Sequence, residues 1–220
     1  MDLNRRQFMM AALAVSALGA SEALGAKEFG RLIGRVKGFS ATQIKTHLAY
    51  LQLQEEKLAE VKGYLNEVDL STTSPFYSDY RALIRAYTEL TTSIYWHRLY
   101  FEGLSLGYER PRSGLSEAIA KAFGSFDRWK IRFYSLCQAA RAWAVVAADA
   151  TGQLYHFCLD SESEGLCPEY QPIIVVDTAD HAYLFDFGND RAGYAEAIIK
   201  ALAWSKLEER FQKVKGGKSP

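Results

Sequence analysis

Four histidines occur in this chain, and two of them, His47 and His97, stand on segments with helical spacing. His47 falls early in the first long helical pattern and His97 late in the second, so an antiparallel pair of helices brings them level. The stretch Val175-Val176-Asp177-Thr178-Ala179-Asp180-His181-Ala182-Tyr183 adds a carboxylate at the end of an apolar strand and an imidazole four residues later. A strand end is a rigid support, so Asp177 and His181 can be aimed at one point. Three imidazoles with one carboxylate suit a redox-active iron or manganese ion, whereas a structural zinc more often recruits thiolates. None of Cys137, Cys158 and Cys167 has zinc-site spacing. The fourth histidine, His156, alternates onto a strand face and has no ligand type beside it.

The elements that must position these groups are legible from periodicity. From Ser40 to about Val68, Ile44, Leu48, Leu51, Leu58, Val61 and Leu65 recur at helical spacing, with Ser40 as N-cap. Ser71-Thr72-Thr73-Ser74-Pro75 signals a turn, and a second helical pattern runs from about Tyr77 to Leu104. After the linker Gly107 to Gly114, helices are expected over Leu115 to Phe123 and Phe126 to about Ala140, broken at Gly124-Ser125. Short apolar runs at Trp143 to Ala147, Leu154 to Leu159 and Ile173 to Val176 read as strands. A helix from about Ala192 to Phe211 closes the chain. The expected fold is α+β: an N-terminal antiparallel helical hairpin, then a small three-stranded antiparallel sheet with flanking helices, and the metal between the two parts. The divisions are an export signal over 1–26, the hairpin over 27–106, a metal-binding α/β part over 107–213 and a solvated tail over 214–220.

Bulk properties exclude one class of partner. Lys plus Arg and Asp plus Glu both number 26, so the net charge is zero, and no basic stripe suits nucleic acid. Asn4-Arg5-Arg6-Gln7-Phe8-Met9, a short apolar run and small residues to Ala26 describe a twin-arginine-type export signal, too short to span a bilayer. A periplasmic or otherwise exported protein is expected, with no membrane contact once the signal is removed. In that compartment disulfides persist, and Cys158 and Cys167, flanking a polar loop, are candidates for one; Cys137 reads as a buried small hydrophobe.

Several segments resemble one family. Phe39-Ser40-Ala41-Thr42-Gln43-Ile44-Lys45-Thr46-His47 is similar to the Ile-Ser-x-x-Thr stretch leading to the first metal histidine of the iron/manganese superoxide dismutases. Trp96-His97 with Tyr100, Phe101 and Leu104 resembles their Asn-His-x-x-(Phe/Tyr)-Trp-x-x-Leu. Phe123-Gly124-Ser125-Phe126 resembles a helix break of the family, and Trp143 falls where Gly-Ser-Gly-Trp puts its tryptophan. Asp177-x-x-Asp180-His181-Ala182-Tyr183, then Asp186, Asn189, Arg191, Gly193 and Tyr194, is similar to Asp-x-Trp-Glu-His-Ala-Tyr and its continuation. These matches come in order over roughly Phe39 to Phe211. The resemblance implies one iron or manganese ion per chain, held by His47, His97, Asp177 and His181, disproportionating superoxide in a homodimer.

The departures from the family fall around that cage. Glu55 stands where the family has a gateway tyrosine, and Leu51 and Gln52 replace the histidines of that helix turn. Ser93 stands where iron enzymes place a glutamine, and Asp160 to Pro168 holds no match to the manganese enzymes' Asn-Gln-Asp. Trp96, Ala179, Val145 and Asp180 replace an asparagine, a tryptophan, an aromatic residue and a glutamate. The groups expected to act around the ion are Glu55, as base or extra ligand, the phenol of Tyr100 or of its neighbour Tyr50, and Trp143. The alternative is an exported metal-binding protein of the same fold with a different redox or non-enzymatic role.

Overall fold

The computed structural model describes residues 28–216; the export-signal segment lies outside the described residues. Helix α1, Ala41–Leu65, starts where Ser40 Oγ accepts the Gln43 N–H at 3.0 Å. Helix α2, Asp79–Glu102, starts where Ser78 Oγ accepts the Arg81 N–H at 3.3 Å. These caps satisfy donors that the first helical turn leaves unpaired. The hairpin is buried at one end only. In α1 the buried side chains run from Gln43 to Gln54, and in α2 from Ser93 to Phe101, whereas Phe76 and Tyr77 near the tip are 92% and 88% exposed.

Helices α3, Ser113–Phe123, and α4, Phe126–Ala139, are separated at Gly124, whose φ of +90° lies in the region that L side chains avoid. Strands β1, Trp143–Ala148, β2, Leu154–Leu159, and β3, Gln171–Asp177, form an antiparallel sheet in the order β2-β1-β3. Every residue of the central β1 is buried, which explains its unbroken apolar run. In the register, Trp143 stands opposite Leu159 on one side and Asp177 on the other. The start of β1, the end of β2 and the end of β3 therefore share one edge of the sheet.

A 3-10 turn at Asp180–Ala182 and a short helix α5, Leu184–Phe187, follow β3. The single closing helix read from the sequence is two: α6, Arg191–Lys200, and α7, Trp204–Lys215. The break has a cause. Leu202 makes an antiparallel bridge to Leu104, Ser105 N–H donates to Ala201 O at 2.8 Å and Ala203 N–H donates to Gly103 O at 2.8 Å. Those bonds capture backbone that a continuous helix would have used. Helix α7 also runs past the expected start of the tail. It delivers Arg210, 4% exposed, whose guanidinium donates to Leu99 O (2.7 Å), Glu102 (3.0 Å) and Ile173 O (3.3 Å), tying the end of α2 to β3. Cys158 and Cys167 are free, exposed thiols, not a disulfide, and Cys137 is buried.

Candidate metal centre

Four donor atoms converge where the buried base of the hairpin meets the sheet edge. One ligand atom from each of His47, His97, Asp177 and His181 lies within 4.8 Å of all the others. Asp177 Oδ2 is 3.1 Å from His47 Nε2, 3.3 Å from His97 Nε2 and 2.9 Å from His181 Nε2, and the last two nitrogens are 3.2 Å apart. Donors that each reach roughly 2.1 Å to a common cation are separated by about this much. All three imidazoles present Nε2, so they address one point.

Three of the four donors are fixed from behind. His97 Nδ1 lies 2.8 Å from Ser93 O; donating there, it leaves the Nε2 lone pair facing the cluster. Asp177 Oδ1 accepts the Ala179 N–H at 2.9 Å, and its backbone carbonyl accepts the Tyr194 hydroxyl. Gln43, fully buried on α1, donates to His181 O at 2.8 Å and accepts from Phe185 N at 3.1 Å, so one amide locks the turn that carries His181. His47 is different. Neither of its buried ring nitrogens has a hydrogen-bond partner among the described residues, although Nε2 lies close to Asp177. A buried polar group is normally satisfied, and a cation among the four donors would satisfy Nε2, the nitrogen that faces them.

Electrostatics agree with a donor set that calls for positive charge at its centre. Burial pushes His47 down to about 3, with Asp177 pulling the other way. Burial also works against protonating His181, yet the carboxylates of Asp177 and then Glu162 lift it to about 9. Burial raises Asp177, but the three imidazoles together hold it well below the usual carboxylate range. Protons and metal ions compete for these same lone pairs.

The other sequence-derived residues divide. Trp143 stands edge-on to the His97 ring, with centroids 4.9 Å apart and planes at 85°. Tyr100 is buried against His47, centroids 5.0 Å apart, its phenol pushed up by burial and then by the charge of Asp177. Tyr50 stacks on His181 at 4.2 Å. Glu55, in contrast, is not brought to the cluster: it accepts from Arg98 Nη2 at 2.7 Å on the outer side of the hairpin. Helical geometry explains the correction. At ~100° per residue, the seventh residue after His47 returns to nearly the same face and the eighth overshoots it by about 80°. The inward position is Gln54, 2% exposed, within 3.1 Å of Ser93 Oγ.

A further residue escaped the sequence reading. Glu162, in the loop between β2 and β3, accepts from the Tyr50 hydroxyl (2.9 and 3.1 Å to its two oxygens) and from Gln54 Nε2 (3.2 Å), and lies 3.1 Å from Ser93 Oγ. Its Oε1 is 3.8 Å from His181 Nδ1. The signal was indirect: the loop leaves β2 at Leu159, opposite Trp143, on the same sheet edge as Asp177.

Comparison with known proteins finds one family. Residues 111–210 match the family described as "Iron/manganese superoxide dismutases, C-terminal domain". The chain is 31% identical over 184 residues to the iron superoxide dismutase of Aquifex pyrophilus, covering 81% of this chain and 86% of that protein. The same figures hold for the iron superoxide dismutase of Aquifex aeolicus. It is 30% identical over 118 residues to manganese superoxide dismutase 1 of Halobacterium salinarum, covering 53% of this chain and 59% of that protein.

Proposed function

Since the chain belongs to the iron/manganese superoxide dismutase family, we infer that it disproportionates superoxide at one iron or manganese ion held by His47, His97, Asp177 and His181. The observation that carries the reading is the buried cluster of three Nε2 atoms and one carboxylate oxygen, with the His47 Nε2 that faces it lacking a hydrogen-bond partner among the described residues. Bound there, such an ion supplies one-electron chemistry: two superoxide ions and two protons give one dioxygen and one hydrogen peroxide. The protein's own residues hold the site rigid and largely dry. Tyr100 and Phe101 cover the His47 ring, Trp143 backs His97, and Tyr50 covers His181. His47, His97, Asp177 and His181 would hold the ion in a pre-set arrangement, because the bonds behind His97, Asp177 and His181 and the rings packed on the imidazoles leave these side chains little freedom to turn.

We further propose that the protein is exported, on the strength of Arg5-Arg6 and the apolar run behind them. Among the described residues, no helix is long and apolar enough to cross a membrane. A homodimer is proposed through the surface after β3, where Leu184 and Phe185 are 37% and 48% exposed. In this chain Asp180 accepts from Tyr183 Oη at 3.0 Å, so its carboxylate is engaged within its own chain. The deciding experiment measures iron and manganese content together with the rate of superoxide loss on the purified protein. One ion per chain with rapid loss is expected, and a metal-loaded protein without activity refutes the reaction.

A further inference from the structure

We propose that Glu162 sets the charge of the metal centre: it holds a second carboxylate beside the Asp177 donor set, which favours the more oxidised ion and weakens the binding of small anions there. The inference rests on the function proposed above. Two indoles fasten the loop that carries Glu162. Trp143 Nε1 donates to Glu162 O at 3.3 Å, and Trp96 Nε1 donates to Glu164 O at 2.8 Å. The carboxylate is then surrounded by neutral groups: the Tyr50 hydroxyl, the Gln54 amide and the Ser93 hydroxyl. Ser93 Oγ lies 3.1 Å from both Gln54 Oε1 and Glu162 Oε2, and its single proton can serve only one of them at a time. Among the described residues no Lys or Arg forms an ion pair with Glu162, and its Oε1 stands 3.8 Å from His181 Nδ1. Its charge is therefore felt across that ring, at a side chain only 26% exposed and so only partly screened by water.

Trp96, Tyr50, Gln54, Ser93 and Glu162 then form one set, in which each hydrogen-bonding group serves to place a single charge. A unit charge one imidazole ring away from a cation, screened as near a protein surface, shifts an equilibrium by about tenfold.

The test compares the metal-loaded full chain with its Glu162→Gln and Tyr50→Phe variants. Glu162→Gln keeps an acceptor for Tyr50 and removes only the charge; Tyr50→Phe keeps the charge and disturbs only the packing and hydrogen bond. The readouts are azide affinity by optical titration and the midpoint potential of the ion. Glu162→Gln is expected to bind azide about tenfold tighter and to raise the potential by about 59 mV, the one-electron equivalent of tenfold. Tyr50→Phe is expected to change each by less than about twofold. Unchanged azide affinity and potential in Glu162→Gln overturn the proposal while leaving the function intact. Equal shifts in both variants also overturn it, because geometry and not charge is then responsible. Glu162→Ala, read the same way, replaces Glu162→Gln if the latter does not fold. A wild-type chain that takes up no metal overturns this proposal and the proposed function together.

Discussion

The four-donor cage and the ring of residues around it follow different rules in this protein. In the cage, His47, His97, Asp177 and His181 stand where the family's pattern puts metal ligands, and each is held by elements the sequence announces: two capped helices and a strand end. Around it, tyrosine, histidine and glutamine positions have changed to Glu55, Leu51, Gln52 and Ser93, yet the space is not vacant. Tyr50, Gln54 and Glu162 come in from neighbouring positions and bond to one another. The cage is constrained because four donor atoms must converge on one point, within 4.8 Å of one another. The ring is constrained differently: its buried polar groups must find partners, which Tyr50, Gln54, Ser93 and Glu162 find in one another.

If the cage is the rigid part, Asp177→Ala should have the largest effect, since it leaves three imidazoles without the anion that binds them together. Metal affinity is expected to fall by more than about 100-fold, measured by competition with a chelator. Without metal, the cage should make stability depend on pH on both sides of a maximum. His181 is raised to about 9, so the stability it contributes is fully present below its unfolded value of 6.5 and fades as pH rises towards 9. His47 is lowered to about 3, so stability falls as pH drops from 6.5 towards 3, where the unfolded chain takes up a proton that the fold refuses. The metal-free protein should melt highest near pH 6.5 and on the order of 5 °C lower two units away, as read by calorimetry; loading metal should flatten the curve. A flat metal-free curve would break the comparison on the cage side.

The ring side is tested by Trp96→Phe, which removes the donor to Glu164 O. A loss of about 1–3 kcal/mol in urea unfolding is expected, with faster hydrogen exchange across residues 160–165 and metal content unchanged. Smallest of all is Glu55→Gln. It breaks only a partly exposed pair with Arg98, so stability should change by less than about 1 kcal/mol and the rate of superoxide loss should stay within twofold. A large loss of activity would return Glu55 to the site.

How much was legible follows the same division. The level placement of His47 and His97 came from helix periodicity, and the pairing of Asp177 with His181 from a strand end, both local signals. Glu55 was singled out because it stands at the family's gateway position, and nothing local in the sequence announced that Arg98 would pair with it while the neighbouring Gln54 is buried. Glu162 was missed because a loop has no periodicity; only the pairing of Leu159 with Trp143 reveals where it leads. The division of the last helix was hidden for a similar reason, since its cause is a bridge to Leu104 far away in the sequence.

The central claim is that one ion sits among the four donors. Anomalous X-ray scattering, collected on either side of the iron and manganese edges, tests it most directly. A single peak per chain, roughly 2.1 Å from the Nε2 atoms of His47, His97 and His181 and from Asp177 Oδ2, is the predicted result. A peak elsewhere, or none in a protein that nevertheless consumes superoxide, would contradict it.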